Sequence, residues 1–280
     1  MKTNFKPIFK TKLKQHEFRR SFFALSLIFV LMFSVLSATS MFMANAAGPV
    51  YVATETELRA AVNNAVEPTL IVFTADIQLT STTLTIASGK DITLTSSGTG
   101  FFKLIGAPGT NTTTINTGGT LELAGIIVTH NSGDIGRGVY VNFSATLILS
   151  SGEISGNNVD TSIHSDATNG GGVYNWGTFI MNGGTVSKNS AYNGGGVYNI
   201  GTFIMNDGLF SENSASGAGG GVDNSGTFEM NSGTFYRNMA VDGGGVINSV
   251  FSTFTLNNGN FLENQVTHGA GGGIYNRLLA

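Results

Sequence analysis

The chain has 280 residues, of which 41% are hydrophobic and only 11% charged, with 39 glycines and no cysteine. The missing cysteine excludes a disulfide scaffold, a thiol nucleophile and a thiolate metal site, and glycine at about twice its ordinary share of roughly 7% needs a backbone reason. Beyond residue 46 the chain carries seven basic and sixteen acidic side chains, a net charge of −9, which repels phosphate backbones and argues against a nucleic-acid partner.

Residues 1–46 read as an address. Seven of the 14 basic residues fall in the first 20 positions, and they lead into an apolar run, Phe22–Leu36, broken only by Ser26 and Ser34. Ala44-Asn45-Ala46 then supplies a small-residue cleavage site, which completes the three-part form of a secretory signal peptide. The run is shorter than the roughly 20 apolar residues that span a bilayer. An uncleaved anchor, extended by the milder stretch to Met43, is the alternative. No second apolar segment of spanning length comes after it, so the mature chain is expected to be secreted or at the cell surface.

Residues 47–69 read as an N-terminal cap. Thr54-Glu55-Thr56-Glu57 is a capping-box pattern, and the apolar stripe that continues to Val62 predicts a short helix over the edge of the first strands. From residue 70 the chain alternates as strands: Ile71/Phe73, Leu84/Ile86, Ile92/Leu94 and Leu121/Leu123. Gly138-Val139-Tyr140, Thr146–Leu149 and Gly152-Glu153-Ile154 open a scheme that later repeats clearly. Val159–Asn169 is an insertion of about ten residues into it, with Asp160, His164 and Asp166.

The best repeats occupy residues 170–276. Gly170-Gly171-Gly172-Val173-Tyr174-Asn175 recurs with its central apolar residue at 197, 222, 246 and 274, in steps of 24, 25, 24 and 28. Thr-Phe-x-Met-Asn comes next within each unit, at Thr178–Asn182, Thr202–Asn206 and Thr227–Asn231, then degenerates to Thr253–Asn257. Three strand-like runs per 24 residues, with no helical period, predict an all-β, right-handed parallel β-helix of seven or eight coils with a short N-terminal capping helix.

The copies also predict which side chains face inward. The Val173, Phe179, Met181 and Val186 columns stay apolar, whereas the column Ile180, Ile204, Glu229, Thr255 accepts a charge and must face water. The asparagine columns at Asn175 and Asn189 read as structural: asparagine tolerates left-handed backbone, and stacked amides bond along the coil axis. Lys188, Glu212, Arg237 and Glu263 alternate in sign from coil to coil and read as a ladder that sets register. Thr-rich stretches near Thr80–Thr85 and Thr110–Thr114 raise an ice-binding face, but no regular Thr column is read through the best repeats. The last coil is left uncapped, which makes it a candidate surface for end-to-end association.

Gly-Gly-Gly-Val-Tyr-Asn preceded by Phe-x-x-Asn-x-Ala, here Phe210–Ala215 and Phe235–Ala240, resembles the repeats of polymorphic outer-membrane proteins. It also resembles those of related adhesin-like β-helices of the pectate-lyase-like superfamily. The likeness is good over residues 137–276 and loose over 50–136, and Val52 to Ile92 is similar to the helix-capped start of such proteins. It implies a cell-surface, adhesion-type role. The sequence departs from the autotransporter version in having neither a C-terminal membrane barrel nor a sorting tail.

The pectate-lyase-like group also includes polysaccharide lyases and hydrolases, which need clustered carboxylates, often with calcium, and a basic residue at the cleaved bond. Such a cluster is not evident here: Asp223 shares an outward column with Tyr174, Tyr198, Ile247 and Tyr275 and has no acid above or below it. Tyr174, Tyr198, Tyr275 and Asp223 are therefore read as candidate binding residues, and Asp160, His164 and Asp166 as a loop candidate with three potential ligands for a weakly held metal. His130 and His268 stand alone, and no catalytic residue, metal site or cofactor is assigned beyond a conceivable calcium ion. The expected function is a non-catalytic, adhesin-like protein that binds a glycan or protein surface. The alternatives are a polysaccharide lyase or hydrolase working near Val159–Asn169, and a stalk segment of a longer surface protein.

Overall fold

The computed structural model describes residues 48–66, 68–116, 118–161 and 166–277; the leader read at 1–46 lies outside them. Thr54 is the N-cap of helix α1 (Glu55–Asn64). Its hydroxyl accepts the Glu57 N–H (3.3 Å), and the Glu57 carboxylate accepts the Thr54 N–H (3.1 Å), so two orphan donors are satisfied reciprocally. Leu58 and Val62 are buried on the first coil, and Arg59 donates to the carbonyls of Thr82 (2.6 Å) and Thr83 (3.2 Å). The helix thus covers the N-terminal edge as the sequence predicts.

The described residues after it form a parallel β-helix of about eight turns. Strands stack into three parallel sheets, of 15, eight and four strands. The largest has a main path of nine strands, from Val50–Val52 to Thr253–Leu256; we call it the first sheet. The second, eight-stranded sheet runs from Leu84–Ile86 to Ile274–Asn276. Register follows the sequence repeats: Val173 pairs with Val197, Phe179 with Phe203 and Val186 with Phe210. Val139 pairs directly with Val173, and the described ends of the insertion join the next coil, the Val159 N–H donating to the Ser190 carbonyl and the Tyr192 N–H to the Thr168 carbonyl, both at 2.9 Å.

The inward columns form one continuous core. Phe179, Phe203 and Phe228 are fully buried, with ring centroids 4.7 and 4.5 Å apart and nearly parallel planes. Phe210 and Phe235 form a second stack at 4.7 Å. These distances repeat the strand spacing of about 4.7–4.9 Å, so register and aromatic stacking reinforce one another. Each such side chain contributes roughly 1.5–3 kcal/mol by burial alone. The last described coil is less covered: Leu256 is 43% exposed although it continues the buried Met181–Met205–Met230 column.

Two readings of the columns are corrected. The left-handed backbone does not fall on the asparagines but on the charged residues before them: φ is 54° at Lys188, 56° at Glu212, 53° at Arg237 and 54° at Glu263. That kink turns the charge out and the next side chain in, so Asn189, Asn213 and Asn238 are buried at the corner. Second, a regular Thr column does exist. Thr120, Thr146, Thr178, Thr202, Thr227 and Thr253 pair in unbroken register at the head of the first sheet's strands. The charge ladder resolves into two pairs, Lys188–Glu212 at 4.0 Å and Arg237–Glu263 at 2.7 Å.

Candidate functional site

The outward face of the second sheet holds the predicted binding column. Its rungs pair as Thr85, Thr114, Tyr140, Tyr174, Tyr198, Asp223, Ile247 and Tyr275. Inward neighbours Val139, Val173 and Val197 are buried while Tyr140, Tyr174 and Tyr198 are half-buried, the period of two of a strand. Tyr140 and Tyr174 stack at 5.1 Å with 12° between planes, and Tyr198 continues at 5.3 Å with a 40° tilt. Tyr140 thus joins two of the predicted tyrosines. Tyr275 stands apart from them, beyond Asp223 and Ile247.

Arg137 closes one end of this column and was not anticipated. Its guanidinium lies 5.8 Å from the Tyr140 ring centre and 5.1 Å from that of Tyr174, within cation–π range. Its donors reach the carbonyls of Ala167, Asn169 and Gly170 and the Asn111 side-chain oxygen, at 2.7–3.1 Å. Burial pushes its pKa down to about 10, so the side chain stays cationic at neutral pH. The arginine therefore clamps the end of the insertion beside the rings. With Asn111, Thr114 and Ala167 it lines a shallow depression of about 490 Å³. The signal in the sequence is the break in the glycine triplet, Gly136-Arg137-Gly138: by register Arg137 occupies the place of Gly171.

At the other end, Asp223 is only 5% exposed although it points away from the core. The corners of adjoining coils fold over it. It lines a second depression, of about 420 Å³, with Tyr192, Asn193, Asp242 and Arg277. Burial raises its pKa to about 7, against the opposing effects of Arg277, Ser249 and Ser225. Its column holds no second acid, as read, but the corner brings Asp242 to the same depression. Asp242 accepts the Ala270 N–H (2.9 Å) and lies 3.7 Å from the Arg277 guanidinium.

Of the loop trio, Asp160 is half-buried and Asp166 opens a single 3-10 turn, Asp166–Thr168; His164 lies outside the described residues. Among the described residues no three His, Cys, Asp or Glu side chains are grouped to hold a metal. His130 is structural, buried between the Asn157 side-chain oxygen (2.9 Å) and the Thr110 carbonyl (3.0 Å). No helix among the described residues is long and apolar enough to cross a membrane.

The fold makes this a parallel β-solenoid protein with an aromatic column on one face. No protein-family model matches the chain, and no curated protein or solved structure is similar enough to it to count as a match.

Proposed function

We propose that the protein is a secreted or cell-surface, non-catalytic β-helix that holds a glycan chain along the Tyr140–Tyr174–Tyr198 column, in an adhesin-like role. The observation that carries this reading is the set of three successive tyrosines stacked on an outward face. The ring planes are covered by one another and by Arg137, so a sugar chain lies across the outward ring edges and packs its C–H groups along the column. A solenoid repeats such a platform at the coil spacing, which suits an extended polymer better than a compact ligand. The export leader and the adhesin-like repeat motifs support the cellular setting. Retention on an array of immobilised glycans, lost in a Tyr140→Ala/Tyr174→Ala variant with an unchanged unfolding midpoint, is the expected result. Retention by a protein surface alone would move the partner to another class, and retention unaffected by the two substitutions would remove the column from the function.

A second reading, cleavage of a sugar polymer, is favoured by one observation: a carboxyl with a pKa near 7 shares a depression with Asp242 and Arg277. A proton donor beside a second carboxylate is what acid–base hydrolysis needs. Release of new reducing ends that stops with Asp223→Asn would replace binding with catalysis.

A further inference from the structure

The first sheet has an outward face of different character. Its threonine column is followed two residues later by Ile148, Ile180 and Ile204, and two later again by Ser150, Asn182 and Asn206. Register pairing holds the threonines and isoleucines in rows across the coils, whereas Asn182 and Asn206 stand just past the ends of their strands. The array therefore repeats at about 4.7–4.9 Å between coils and about 6.6–6.8 Å along each strand. The threonine and isoleucine positions of three consecutive coils carry no charge, a patch of roughly 10 by 7 Å. Glu122 and Glu229 occupy the isoleucine column on either side. The Glu122 carboxylate accepts the Ser150 hydroxyl (2.5 Å), and Asp207, next to Asn206, accepts the Gly208 N–H (2.8 Å).

The array's chemistry is specific. No protein group hydrogen-bonds the hydroxyls of Thr146, Thr178, Thr202, Thr227 and Thr253 among the described residues, so they are left for water. Each also carries a methyl group and, being β-branched, is stiff at χ1. The asparagines are by contrast fixed, since the Asn206 amide donates to Asn182 (2.8 Å) and Asn231 to Asn206 (3.0 Å). Directly beneath lie the stacked rings of Phe179, Phe203 and Phe228, so the backbone under the array is held rigid.

We propose that this face binds ice. A soluble protein or a flexible chain meets a surface through irregular contacts and gains nothing from repetition in two directions. A crystal face does, because one matched row places every other. Ice is a lattice of hydrogen-bonded oxygens on the same length scale as this array. A row of stiff hydroxyls, each beside a methyl and, at Thr146, Thr178 and Thr202, with no charge two residues further along to hold a hydration shell, orders water in rows that such a lattice continues. The site is independent of the tyrosine column, which lies on another sheet.

The test is inhibition of ice recrystallisation, with shaping of a single ice crystal, by the purified protein. Activity is expected. Thr202→Tyr keeps strand propensity but raises a ring above the plane. It is expected to increase the concentration needed by about tenfold or more, with the unfolding midpoint unchanged. Ile180→Glu, which puts a charge in the patch, is a second variant with the same expected loss. Tyr174→Ala should leave ice activity intact. Absence of ice activity in the folded protein, activity that survives both face variants, or the same threonine dependence for a crystalline polysaccharide without any for ice would overturn the proposal.

Discussion

Asn213 serves Asn189 twice: its side-chain oxygen accepts both the Asn189 main-chain N–H (3.1 Å) and the Asn189 amide (3.0 Å). Asn213 in turn donates to the Val186 carbonyl and to the Asn238 oxygen, both at 2.9 Å. Asn157 and Asn264 extend the same ladder at either end. Every member fixes a corner of its own coil and the register of the next. Asn213→Ala therefore deprives the Asn189 main-chain N–H and amide and the Val186 carbonyl of this partner, while the Asn238 oxygen keeps the main-chain N–H of residue 213 (3.0 Å); each buried group left unpaired costs about 1–3 kcal/mol. We expect a loss of about 3 kcal/mol or more in urea unfolding. Asn206→Ala cuts an exposed ladder instead and is expected to cost about 0.5 kcal/mol. Equal losses from the two would mean that burial is not what gives the inner ladder its strength.

Glu212 sits at φ 56°, where an L side chain costs roughly 1–2 kcal/mol and a β-branched one is most disfavoured. Its ion pair with Lys188 is long at 4.0 Å and exposed, and so contributes little. Glu212→Gly removes the backbone cost but frees the unfolded chain, and is expected to fall within about 0.5 kcal/mol of the parent. Glu212→Val should lose about 2 kcal/mol. Thermal unfolding of the pair separates backbone strain from charge, since both variants delete the same carboxylate.

Much of this was legible because a solenoid prints its own alignment. Repeating the coil in one chain shows which positions stay apolar, so Phe179 and Met181 are read as inward and Ile180 as outward without any relative. The capping box at Thr54 was equally local. What escaped depends on neighbours that no column contains. Asp223 reads as exposed by alternation, yet corners from adjoining coils cover it. Arg137 interrupts a glycine triplet and so looks like decay of the repeat rather than a clamp. The threonine ladder was hidden by abundance elsewhere: one threonine per coil, at Thr178, Thr202 and Thr227, makes a regular row, whereas the Thr-rich stretches do not.

Arg137 links four acceptors of the inserted segment and of Asn111 through one planar group. Lysine keeps the charge but offers a single point of contact. Arg137→Lys is therefore expected to lose about 2 kcal/mol and to expose the segment around Ala167–Gly170 to protease at concentrations the parent resists. An unchanged digestion pattern would show that the segment is held by other contacts.

Asp223 ties stability to pH. Its pKa is 3.8 in an open chain and about 7 in the fold, chiefly through burial. Between these values the folded protein holds a proton that the unfolded chain has released. Stability must then fall as pH rises through this window, by up to about 1.4 kcal/mol per pH unit. The stabilised form is the neutral acid, so Asp223→Asn should flatten the dependence and leave the variant more stable than the parent above neutrality. Asp91, whose pKa burial and Glu122 also raise, contributes in the same direction in both proteins and cancels from the difference. Urea midpoints at pH 5, 6, 7 and 8 measure this directly. A parent whose stability rises across that range relative to Asp223→Asn would mean that Asp223 is ionised and paired in the folded state, most directly by Arg277, which shares its depression.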